Sequence, residues 1–269
     1  MMLERILALA AAAVVATALG VGLMMMALSP PPPAHGALSA IPSPPAKPPS
    51  PRQAVEATIA SAPEYAHFFA RLREKFPQDY EGTIGGFASR LSETKTDQGA
   101  DYYLSEAMRR LRQSRGALAA KSEPESMSRV FAKQLAVLQA IAREDKKLCV
   151  AFLYGANNSD FQRFAASRRP LVADMASASL EAMVDGQAKN IARDRPTDAD
   201  FKALETALAA RGLAKPEIDA LLDGKMPDPP LEDAKMCAAG QTYLEVLRTL
   251  PEAPRTRIYG LALELMARS

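Results

Sequence analysis

The sequence predicts an all-α protein in three parts: a single-span N-terminal membrane helix, a Pro-rich extended linker, and an irregular bundle of about 8–10 helices. Three observations predict it. Residues 6–28 carry no charge. Ten of the 21 prolines crowd into residues 29–51. From Arg52 onward apolar residues recur at helical spacing, and aromatics are only 6 % with no tryptophan, which disfavours sheet. The implied divisions are 1–28, a short tail with the membrane or signal-anchor helix; 29–51, the linker; and 52–269, the helical domain.

The first element is "ILALAAAAVVATALGVGLMMMAL", Ile6 to Leu28, 23 residues long. A hydrocarbon core about 30 Å thick needs roughly 20 helical residues, whereas the apolar core of a signal peptide spans about 7–15. The length therefore favours an anchor that stays in the bilayer through residues 6–28. The alternative is a signal cleaved after Ala34-His35-Gly36, a small-x-small pattern, which would release a secreted helical protein beginning at Ala37. Arg5 precedes the run and no Lys or Arg occurs in residues 29–46, so the positive-inside tendency puts the downstream domain outside the cytoplasm. The expected location is the inner (cytoplasmic) membrane, single-pass, with a periplasmic C-terminal domain. Ser29 to Pro51 then reads as an extended spacer, because proline fixes φ and removes an amide donor.

Within the domain, Tyr65, Phe68, Phe69, Leu72 and Phe76 form one apolar stripe, and His67 falls off it as a solvated surface residue. Leu104, Met108, Leu111 and Leu118 form a second. Ser122 and Glu125 have capping-box spacing ahead of Met127, Val130, Phe131, Leu135, Leu138 and Ile141, and Lys146 and Lys147 suit the negative end of that helix. Ser159 opens another helix; Val172, Met175, Leu180, Met183 and Val184 line the next. "TDADFKALETALAARGLAKPEIDALLDG" reads as a helical hairpin, with a Thr197–Asp200 capping box, Gly212 ending its first helix, Pro216 starting its second and Gly224 ending that. Two last helices are expected at about 231–250 and 254–268.

Charge restricts the partners. Only Arg5, Lys47 and Glu4 precede Arg52, leaving 31 cations against 30 anions in the domain. A phosphate-gripping domain carries a basic excess, so nucleic acid is not an expected partner. Of the two basic clusters, Arg109–Arg115 and Arg168–Arg169, the former reads as the solvated face of an amphipathic helix, with anionic lipid or an acidic partner as the minority reading.

Cys149 and Cys237 are the two cysteines, each on an apolar turn of an expected helix. In an oxidising compartment an even cysteine count favours a disulfide, and Cys149–Cys237 is the candidate pair. Neither a CxxC redox motif nor a zinc set can be built from them, and the two histidines, His35 and His67, give no metal site or triad.

Catalytic patterns are incomplete. Ser92–Lys95, "SETK", resembles the first motif of penicillin-binding enzymes, but S-D-N and K-T-G are missing. "PES", Pro124–Ser126, resembles the Glu-Ser pair of lytic transglycosylases without that family's glycine-rich partner motifs. Asp194, Asp198 and Asp200 lack the glycine and distal glutamate of a calcium loop. No catalytic, cofactor or metal residue is assigned. The expected function is a membrane-anchored extracytoplasmic module that contacts a protein or envelope partner without catalysis. The alternatives are a cell-wall-acting enzyme using Glu125 as its acid and the secreted soluble protein.

Overall fold

The computed structural model describes residues 48–96, 98–155, 158–223 and 228–268. The expected membrane helix at 6–28 and nearly all of the spacer lie outside them, as does Gly224. The described residues form twelve α-helices and one short 3-10 turn, with no strand among them. None of these helices is long and apolar enough to cross a membrane.

The first described helix is α1 (Pro51–Ala60), whose first helical residue is the last proline of the spacer. Proline suits that position because its missing N–H would have no partner there anyway. Ser50 caps it: its hydroxyl accepts from the Gln53 N–H, and the Gln53 side chain accepts from the Ser50 N–H. A 3-10 turn (Pro63–Tyr65) leads to α2 (Ala66–Lys75) and α3 (Pro77–Thr94). The expected stripe Tyr65, Phe68, Phe69, Leu72 and Phe76 is buried throughout, and His67 is exposed.

The centre is made by α4 (Ala100–Ala119), α5 (Pro124–Glu144) and α8 (Arg169–Lys189). Helix α8 packs on both α4 and α5. It buries residues around most of its circumference, many of them small: Ala173, Ala176, Ala178, Ala182 and Gly186. A central helix must be apolar nearly all round, and small residues let its neighbours come close. At Gly186 the approach reaches its limit, since a Cβ there would lie 1.8 Å from the Leu118 carbonyl oxygen. Backbone cannot yield to that extent, so α8 and α4 cross here only because residue 186 is glycine.

The chain continues through α6 (Lys146–Leu153), α7 (Ser159–Ser167), the hairpin α9 (Asp198–Ala210) and α10 (Lys215–Asp223), then α11 (Asp233–Thr249) and α12 (Glu252–Arg268). Helix α12 covers α4, while α11 packs on α5 and α6. Two of the hairpin's expected signals are seen directly: Thr197 and Asp200 make the capping box, and Gly212 turns with φ +89°; the second helix starts at Lys215, one residue before the expected Pro216.

Two local expectations fail. Ser122 does not cap α5. It is fully buried and its hydroxyl donates to the Ala119 carbonyl at 2.8 Å, so it belongs to the end of α4. The helix starts two residues later at Pro124, and the Glu123 amide is satisfied by the Asp185 carboxylate at 2.7 Å from α8. A tertiary acceptor has replaced the local one. Lys146 and Lys147 do not end α5 either. Asp145 breaks the helix and caps α6 through the Leu148 N–H at 2.9 Å, which puts both lysines in the first turn of α6. Lys146 still reaches back to the α5 carbonyl of Ala142. This break, with α1 and α3, accounts for twelve helices where about 8–10 were expected.

Candidate functional site

The residues singled out by motif do not assemble. Ser92 donates its hydroxyl to the Ala88 carbonyl at 2.9 Å inside α3, and Lys95 is the left-handed residue that ends that helix. The Glu125 side chain is 87 % exposed and paired with Arg129 at 3.1 Å. Asp194 and Asp198 are exposed while Asp200 is buried, and no cluster of metal-ligating side chains occurs among the described residues.

Most of the basic residues are spent on internal carboxylates. Arg109 and Arg110 both grip Glu106, which is held down to about 2 by Arg109 above all, then by Arg110. Arg115 pairs with Asp79 at 2.9 Å. Arg169 makes two bonds to the buried Asp101, at 3.0 and 2.9 Å, and Tyr65 donates to the same carboxylate at 2.5 Å. Burial pulls Asp101 upward, but Arg169 and then Tyr65 outweigh it and keep the carboxyl below its ordinary range. Burial and then that bond drive the Tyr65 phenol far up. Arg257 binds Asp200 through two bonds, at 2.8 and 2.7 Å, and together with the Thr197 backbone holds it low. Arg71 grips Glu181 likewise, at 2.7 and 3.1 Å. Each pair joins elements far apart in sequence or locks an interior carboxylate, so these arginines are structural.

Arg211 and Arg248 differ. They border a cleft of about 560 Å³ between α5, the end of α9 and the end of α11. Ala132, Leu135 and Ala136 form its apolar floor, with Gln139, Glu245 and Thr249 as the other polar groups. Both arginines are exposed, and neither makes an ion pair or side-chain hydrogen bond among the described residues. Arg211 follows the last residue of α9 and Arg248 lies in the last turn of α11, where helix carbonyls favour a cation. Glu245 is held across the cleft by the Gln139 amide at 3.3 Å instead of by either arginine. The arrangement offers two unspent guanidinium forks above an apolar floor. It can seat a carboxylate-bearing surface; it presents no nucleophile with a base. Sequence reasoning missed it because its walls come from three helices, and only the folded packing shows which arginines have no acceptor.

The cysteines, by contrast, come together as expected. Cys149 on α6 and Cys237 on α11 are buried with Cα atoms 5.6 Å apart and sulfurs at bonding distance. Gly240 helps: a Cβ there would lie 2.3 Å from the Leu153 side chain, so glycine lets α11 settle against α6 beside the pair. In comparisons with known proteins, no family model, curated protein or solved structure matches this chain.

Proposed function

We propose that the chain is a membrane-tethered helical module that stands outside the cytoplasm and binds an acidic segment of a protein partner in the α5–α9–α11 cleft, without catalysis. The observation that carries the binding role is the pair of acceptorless arginines, Arg211 and Arg248, over that apolar floor. The uncharged Ile6–Leu28 run and the spacer support the tether, and the buried cysteine pair supports an oxidising compartment.

Full-length protein in detergent, titrated with a fluorescent Glu-rich peptide, tests the binding role. Replacing both Arg211 and Arg248 with Met is expected to weaken binding about tenfold or more, with an unchanged melting temperature. Equal affinity for both proteins would refute the assignment of the cleft. Location is tested on the native chain by alkylating thiols before and after reduction. Blocked thiols that become reactive only after reductant are expected. Two freely reacting thiols in unfolded but unreduced protein would place the domain in a reducing compartment.

A second reading, the secreted protein, is favoured by the small-x-small site at Ala34-His35-Gly36. A mature chain whose first residue is Ala37 would select it over the tether.

A further inference from the structure

Arg112 stands in the middle of the Arg109–Arg115 cluster, yet it alone among those arginines turns inward. Its Nε is sealed from solvent and has no hydrogen-bond partner, and its guanidinium makes no ion pair among the described residues. The side chain is half-buried, and its Nε is a donor that arginine cannot shed, so a sealed Nε–H left without an acceptor is costly. Burial, and then the nearby Arg109, bias the group against its own protonated form. Neither Arg109 nor Arg110 leaves a carboxylate to spare, since both hold Glu106.

Beside Arg112 is a cavity of about 50 Å³ between α4, α5, α8 and α12. Met108, Met183, Leu263 and Met266 supply apolar wall, and Gln134 and Ser179 the polar atoms. The Gln134 amide is turned to the Met266 sulfur at 3.4 Å, and the Ser179 hydroxyl donates to the Met175 carbonyl at 3.0 Å. Neither supplies Arg112 with an acceptor. The wall is fixed on one side, because a Cβ at Gly116 would lie 2.8 Å from Ala267 Cβ and 3.2 Å from Arg112 Cγ. The result is a positively charged, Met-walled recess too small for a folded side-chain cluster but matched to one or two water-sized groups.

We propose that this recess is a carboxylate-binding site, with Arg112 as the anchoring cation and the ligand a small organic acid whose headgroup enters the cavity. A carboxylate meets the guanidinium fork with two parallel bonds, which a neutral group cannot do. The inference does not rest on the α5–α9–α11 cleft, which is lined by different residues.

The experiment follows the Arg112 Nε–H resonance of the ¹⁵N-labelled full-length chain during titration with acetate, then propionate, at constant ionic strength. A saturable shift is expected, with a melting temperature raised by about 3–5 °C at tenfold excess over Kd. Acetyl-glutamate amide distinguishes a peptide-borne carboxylate from a free acid: saturation by it alone assigns the recess to a partner's side chain. Arg112→Met should abolish the thermal response, and Arg112→Lys should reduce it severalfold. No resonance shift up to 50 mM acid, or an equal shift with chloride, overturns the proposal in favour of bound water or simple screening. The wild-type resonance decides this even where a variant fails to fold.

Discussion

Arg112 apart, the arginines around α2, α4 and α8 and those around the α5–α9–α11 cleft are the same residue in opposite circumstances. On the first side Arg71, Arg109, Arg110, Arg115 and Arg169 each hold a carboxylate, and the carboxylates they hold include the interior Asp101 and Glu106. On the second, Arg211 and Arg248 hold none. A spent guanidinium is part of the frame, since removing it strands a partially desolvated anion; an unspent one is free to recruit an anion from elsewhere. Arginine count alone therefore says nothing about binding. What distinguishes the two sides is whether the folded chain has already supplied the acceptor.

The comparison predicts that damage concentrates where α4 meets α8. The largest effect is expected at Gly186, where Ala would drive a Cβ into the Leu118 carbonyl. A loss of about 3 kcal/mol or more in urea denaturation is expected, beyond ordinary overpacking because backbone must move. Gly82 on α3, whose Cβ would meet nothing within 4 Å, is the control and should gain about 0.5–1 kcal/mol as Ala. Equal responses at the two glycines would show that α8 does not sit against α4 in this way.

Next comes Asp101→Ala, which removes the acceptor of Arg169 and Tyr65 together and is expected to cost about 3 kcal/mol. Arg248→Met, on the other side, should stay within about 0.5 kcal/mol. A large loss at Arg248 would mean that it too is structural, and the contrast would collapse.

Acid probes the same division. Asp101, Glu106 and Asp200 all sit below their ordinary values in the folded chain. A carboxylate depressed by folding stabilises fully above its unfolded value, and that stabilisation is lost as pH falls toward the folded one. For Glu106 the window runs from 4.5 down to about 2. The urea midpoint is expected to fall across that range and to fall less steeply in Glu106→Gln, which no longer titrates. An identical pH profile in the variant would show that the Arg109 and Arg110 bonds contribute nothing.

Much of the frame was legible in the sequence, because helical stripes such as Tyr65–Phe76 and capping signals such as Thr197–Asp200 are local. The cysteine pair was legible too, since only one pairing exists. The start of α5 was not, because Asp185 supplies its acceptor from 62 residues away, which no local spacing of Ser122 and Glu125 reveals. The same reason hid both proposed anion sites. Arg112 reads as one more basic residue in a run until Arg109, Arg110 and Arg115 are seen to be occupied, and Arg248 looks like a partner for Glu245 three residues earlier until Gln139 is seen to take that carboxylate.

That last detail yields the smallest and most diagnostic expected effect. Among the described residues, Glu245 is the one carboxylate lining the cleft, and it would repel an acidic partner. Glu245→Gln retains an acceptor for Gln139 while removing the charge, so stability should change by less than about 0.5 kcal/mol. Affinity for the Glu-rich peptide should rise about threefold, as expected for deleting one partly screened like charge. The sign separates the readings. Weaker binding in this variant would mean that the cleft grips its partner through Glu245, making the partner basic there and leaving Arg211 and Arg248 as complements to their helix ends alone.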